Sequence, residues 1–80
     1  MDIEMYPNTA QNELQLVING VPDAGSELRL LDPNGRIWRQ WKGLTAGRQT
    51  IWLPNVPSGL YFVEYVGHDQ RLTRKLVIRQ

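Results

Sequence analysis

His68 and Asp69 are the adjacent pair of side chains best suited to exchanging a proton near neutral pH, and acid–base work is the chemistry such neighbours would perform. That work also needs a pocket to hold a substrate, whereas Gly67-His68-Asp69-Gln70 has the composition of a solvated hairpin turn. The chain holds one histidine and no cysteine, with no HxxxH, CxxC or clustered-carboxylate pattern, so no metal site is expected. Ser26 and Ser58 stand in turn contexts without a GxSxG frame, which makes them turn residues and not nucleophiles. The expectation is a protein that catalyses nothing and carries no metal or cofactor.

Two further groups could bind rather than react. Arg71, Arg74, Lys75 and Arg79 place four of the nine Lys and Arg residues in the last ten positions. They read either as a docking strip or as a solvated edge strand guarded by charge. Trp38, Trp41, Trp52, Phe62 and the tyrosines could stack on sugars or single-stranded nucleic acid, although aromatic residues in so small a chain more often build its core.

The elements that must position these residues are strands. Leu14, Leu16 and Ile18 alternate with polar Gln15, and Leu28 and Leu30 repeat the pattern, each the period of a half-buried strand; Val17 breaks the first alternation. Asp32-Pro33-Asn34-Gly35 suits a type I turn position by position and closes a hairpin onto Arg36–Lys42. Trp38 and Trp41 are three apart there and cannot share a face of a regular strand, so a bulge or one exposed tryptophan is predicted. Ile51 and Leu53 face one way and Trp52 the other. After Pro54–Gly59, which excludes helix and central strand, Tyr61, Val63 and Tyr65 form the inner face of the strongest strand, with Leu60, Phe62, Glu64 and Val66 outside. Leu72, Leu76 and Ile78 mark the closing strand. Trp52, Leu60, Phe62, Val66 and Val77 fall opposite the inward sets and form a candidate outer patch, through which copies could weakly self-associate.

Eighty residues suffice for one core. Apolar residues at 41% and charged residues at 21% place the chain with folded domains, and the net charge of +1 supplies no field to draw in nucleic acid or an anionic membrane. No apolar run reaches the roughly 20 residues of a membrane-spanning helix, and Met1–Met5 lacks the basic start and apolar stretch of a signal peptide. The spacing of strands and turns predicts an all-β, immunoglobulin-like antiparallel sandwich of six strands, with a seventh around Ile3–Tyr6 and a small barrel as the alternative. Residues 1–5 read as linker or N-terminal edge and residues 6–80 as the domain.

Four motifs occur in order: Tyr6-Pro7-Asn8, Leu30-x-Asp32 with Asn34-Gly35-Arg36, Val56-Pro57-Ser58-Gly59-Leu60-Tyr61-Phe62-Val63, and Thr73-x-Lys75-Leu76-Val77-Ile78. Together they resemble the C-terminal sorting domain of the type IX secretion system, type A, from Tyr6 to Arg79. The family usually continues Tyr-Pro-Asn with a second proline where Thr9 stands here, which implies a looser first turn.

The resemblance implies a folded signal that carries an N-terminal passenger protein through the periplasm and across the outer membrane to the cell surface or extracellular space. It also implies type IX translocon components as partners and removal by a surface sortase-like protease. The sorting motif would comprise Tyr6, Pro7, Asn8, Gly35, Arg36, Pro57, Gly59, Tyr61, Lys75, Leu76, Val77, Ile78 and Arg79. Within it, Gly59 is expected at a backbone position that a side chain would strain, Tyr61 to bury its ring and bond its hydroxyl at a corner, and Lys75 and Arg79 to project from the last strand. Deleting Leu76–Gln80 is expected to trap the passenger in the periplasm with the passenger's own fold intact. The competing reading is an accessory immunoglobulin-like module that binds carbohydrate or a protein through Trp38, Trp41 or Trp52.

Overall fold

The computed structural model describes residues 1–7 and 9–80. Eight strands follow in chain order: β1 (Asp2–Tyr6), β2 (Thr9–Ala10), β3 (Glu13–Asn19), β4 (Glu27–Leu31), β5 (Ile37–Trp41), β6 (Gly47–Trp52), β7 (Gly59–Val66) and β8 (Arg71–Ile78). A three-stranded sheet orders them β1-β3-β6 and a five-stranded sheet β2-β8-β7-β4-β5, the two layers of an immunoglobulin-like sandwich. All pairs are antiparallel except β2 with β8.

The two-residue period decides which side chains meet between the sheets. Leu14, Leu16 and Ile18 of β3, Leu28 and Leu30 of β4, and Tyr61, Val63 and Tyr65 of β7 are all buried, as their alternation predicts. Ile51, Leu53, Leu76 and Ile78 join them, and Leu72 packs at the rim. Each such aliphatic side chain contributes about 1.5–3 kcal/mol, offset by the chain entropy lost on folding. Val17, the residue that spoils the alternation, points outward between Glu4 and Arg48.

Residues near the N-terminus are integrated into the sandwich. β1 pairs with β3 from Asp2↔Asn19 to Tyr6↔Gln15 and forms an edge of its sheet, with Ile3 in the core. The chain then crosses to the other sheet, where β2 pairs with the end of β8 through Thr9↔Val77 and Ala10↔Ile78. Ala10 is fully buried. This short parallel strand is the eighth, beyond the six or seven read from the sequence, because two residues carry no periodicity to detect. The Tyr6–Pro7 peptide bond is cis.

The Asp32–Arg36 hairpin forms as its residues dictate. The Gly35 N–H donates to the Asp32 carbonyl (2.9 Å) and the Asp32 N–H to the Arg36 carbonyl (3.0 Å). Gly35 sits at φ +85°, the left-handed position that follows a type I turn in a bulged hairpin. On β5, Arg39 opposes Leu30 and Ile37 opposes Leu31, so Trp38 is the extra residue of the predicted bulge. The bulge lets Trp38 and Trp41 both pack half-buried against the core.

Glycine is required at different positions from the one expected. Gly59 has no positive φ, and a Cβ there would meet the Tyr61 ring at 3.6 Å, an ordinary contact. The expected strain at Gly59 is therefore absent. Gly59→Ala should be neutral or up to about 1 kcal/mol stabilising through the unfolded chain, whereas Gly35→Ala should cost about 1 kcal/mol for its left-handed backbone. Urea unfolding of the two variants checks the contrast, and equal losses would refute it.

Candidate recognition end of the sandwich

The outcome for the acid–base pair is simple. His68 and Asp69 lie in the β7–β8 turn with side chains 85% and 89% exposed and 4.0 Å apart, at a solvated hairpin tip.

Most motif residues converge at one end of the sandwich, where β4 ends, β5 and β7 begin, and β8 ends beside β2. Tyr61 anchors this end. Its ring is buried and its hydroxyl donates to the Pro57 carbonyl at 2.7 Å, the corner geometry expected for it. Trp38 meets the same ring edge-on at 6.2 Å and 87°. The Arg36 guanidinium lies over the Trp38 ring at 4.7 Å, so the hairpin containing Gly35 and Arg36 is tied to the Pro57–Tyr61 corner through one indole.

Asp32 is the electrostatic centre of the hairpin. Its Oδ1 accepts the Asn34 and Arg36 N–H groups at 2.9 and 3.0 Å, and its Oδ2 accepts the Trp38 indole N–H at 3.2 Å. Desolvation pushes its pKa up, but the N–H donors of Arg36, Trp38 and Asn34 and the charge of Arg36 outweigh it and hold the carboxyl below its ordinary value. A depressed folded pKa gives stability that is complete above the unfolded value and is lost as pH falls below about 4. Asp32→Asn should therefore flatten the acid limb of a Tm-against-pH curve relative to the parent; superimposable acid limbs would show that these bonds do not favour the charged form. Tyr61 moves the other way. Burial first, and the Asp32 charge second, raise its phenol above the usual value, so its contribution is intact below about pH 10 and declines as pH climbs further.

The end of the chain is held at the same place. The Arg79 N–H donates to the Ala10 carbonyl (2.8 Å), the Gln80 N–H to Ser58 Oγ (2.9 Å), and Gln80 Nε2 to the carbonyls of Val56 (2.9 Å) and Gln11 (3.1 Å). Beside it, Pro7, Thr9, Gln11, Asn12, Glu13 and Arg79 line an open cleft of about 440 Å³. Asp32, Trp38, Ser58 and Gln80 thus belong to this end although none was named among the sorting residues, Asp32 and Ser58 standing within the quoted motifs and Trp38 and Gln80 outside them. A carboxylate opening a turn signals the first of these; a single glutamine carries no signal for the last.

The remaining motif residues are placed differently, those at the end of β8 within the same end of the sandwich. Tyr6 faces outward from the three-stranded sheet with the Arg48 guanidinium 5.6 Å from its ring centre. Lys75 is exposed in the middle of β8 opposite Phe62. Leu76 and Ile78 are core, and Val77 is half-buried beside Leu60 on the outer face. Asn8 lies outside the described residues. The outer apolar patch divides: Trp52 belongs to the three-stranded sheet, whereas Leu60, Phe62, Val66 and Val77 belong to the five-stranded one. The sequence could not show which strands share a sheet. The same division separates Trp52, 61% exposed, from the half-buried Trp38 and Trp41, so the three tryptophans make no shared stacking surface.

Fold and site together define an immunoglobulin-like β-sandwich module whose conspicuous polar bonding is structural, gathered at a tyrosine corner and a clamped chain end. A family model described as the secretion system C-terminal sorting domain matches residues 4–79. The chain belongs to that family, the C-terminal sorting domains of type IX secretion. No curated protein matches it. Membership makes the domain a C-terminal sorting signal, the tail of a passenger protein that is recognised by the secretion system and exported to the cell surface or extracellular space. Domains of this family are generally non-catalytic.

Proposed function

We propose that the secretion machinery reads this domain as a folded object in the periplasm, at the end of the sandwich where Pro7, Gly35, Arg36, Pro57, Gly59, Tyr61 and Arg79 lie. Translocon components engage that end, the passenger follows across the outer membrane, and a surface sortase-like protease then removes the domain near its N-terminal boundary. The observation that carries this reading is the convergence of motif residues from four separate stretches of sequence on one end of the molecule. Core packing accounts for Tyr61 and Ile78 but not for exposed Arg36 and Arg79.

The test is a fluorescent reporter carrying Met1–Gln80 behind an ordinary signal peptide, in bacteria with and without a working type IX translocon. The first strand is kept whole because Ile3 is in the core. Release is expected only in the competent strain. The Arg36→Ala/Arg79→Ala double variant should lower release about tenfold, the equivalent of about 1.4 kcal/mol of lost recognition. Unchanged release of that variant with a folded domain would remove this end as the recognition surface.

A further inference from the structure

We propose that the free edge of β8, from Arg71 to Lys75, is a docking edge for an extended acidic strand of a partner protein; this deepens the sorting reading and rests on it. β8 pairs with β7 along its whole length, from Gly59↔Ile78 to Val66↔Arg71. On its other side β2 reaches only Val77 and Ile78. Among the described residues, 71–75 therefore have no strand on that side, and every second residue turns its N–H and C=O outward over about 17 Å of edge. Such an edge accepts an added strand through main-chain bonds, with partner choice left to the side chains.

Those side chains select by charge. Arg71, Thr73 and Lys75 lie on the outer face of β8, and Leu72 and Arg74 on the inner face. Arg74 bonds Asp2 across the seam between the sheets, and Arg71 Nε lies 3.7 Å from Glu64, which also faces Arg29 at 3.9 Å. Lys75 has no ion-pair partner among the described residues. Three cations thus face two carboxylates, one of them shared. A second β8 laid antiparallel on this edge would set cation against cation, which disfavours self-pairing. A strand with acids beside Arg71 and Lys75 and an apolar residue beside half-buried Leu72 satisfies both faces. The Arg74 side chain donates to the Thr73 carbonyl at 2.9 Å, a bond that an added strand must displace or accommodate, but the register of β8 is regular, whereas the Trp38 bulge interrupts the β5 edge.

Amide hydrogen exchange on the isotope-labelled 80-residue domain tests the edge, with a blocked peptide alternating glutamate and valine as the probe. The expected result is slowed exchange at alternate amides between Arg71 and Lys75, and no slowing with the matching lysine–valine peptide. Arg71→Glu/Lys75→Glu, at two exposed positions, should reverse that preference while the domain stays folded. No slowing with the acidic peptide, equal slowing with both peptides, or the same slowing produced by raising the domain concentration alone would each overturn the proposal; the last would show that the edge takes a second copy. The double variant is also carried into the reporter assay, where release should fall. Failure of the unaltered reporter to be released at all would overturn the sorting reading instead, and the peptide result would still decide the edge.

Discussion

Tyr65→Ala should destabilise the domain by about 3–5 kcal/mol, the loss typical of removing a buried aromatic ring. That is a large share of the about 4–12 kcal/mol expected for a chain of this length. Tyr65 is completely buried in β7, between Leu28 of β4 and Leu72 of β8 in register. Its hydroxyl adds a second role at the opposite end from the tyrosine corner. It accepts the Asp23 N–H at 3.1 Å, while the Asp23 carboxylate accepts the His68 N–H at 2.8 Å, joining the β3–β4 and β7–β8 turns. Gly67 completes the cluster, since a Cβ there would stand 2.5 Å from Asp23 Oδ2 and 3.0 Å from the Tyr65 hydroxyl. Tyr65→Phe, which keeps the ring and removes the acceptor, should cost only about 1 kcal/mol. Urea unfolding of both variants measures the difference. A loss below about 2 kcal/mol for the alanine variant would mean that the core closes over the gap.

Deleting Leu76–Gln80 should abolish the domain's fold, and with it passenger export. Leu76 and Ile78 are 1% exposed, and the deleted stretch supplies the pairs Tyr61↔Leu76, Leu60↔Val77 and Gly59↔Ile78 as well as the whole partner of β2. Two core side chains at about 2–5 kcal/mol each already approach the stability available. The truncated domain should therefore give no cooperative thermal transition by circular dichroism. This changes what the deletion can teach, because lost export would report lost folding. Arg79→Ala separates the two: its side chain is exposed and the bond to Ala10 uses the main chain, so Tm should barely move while release falls. A truncated domain that melts cooperatively would show that β8 is dispensable to the core.

The strand faces were legible in the sequence because burial between two sheets imposes a period of two, and Leu14, Leu16, Ile18, Tyr61, Val63 and Tyr65 obey it. The Asp32 turn and the Trp38 bulge were legible for the same kind of local reason. Long-range arrangement was not. Nothing in Thr9-Ala10 announces a parallel strand, and nothing in Trp52 says that it stands on the other sheet from Leu60. Gly59 misled because a glycine beside a proline-rich corner looks like a turn glycine, yet it begins β7 in ordinary backbone opposite Ile78. The proposed recognition end was half visible: its motif residues were named through the family resemblance, but their meeting through Trp38 and Gln80 depends on contacts that span most of the chain.

The joining of β2 to the far end of β8 sets the order of assembly during synthesis. Ala10 and Thr9 have no sheet to enter until Val77 and Ile78 exist, and the Tyr61 strand lacks one neighbour until then. A chain whose translation stops short of Ile78 leaves the ribosome with its early strands made and no closed sandwich. Only a polypeptide synthesised past Ile78 can present the folded signal, so the same contacts that stabilise the domain also make its display depend on everything ahead of Ile78 having been made.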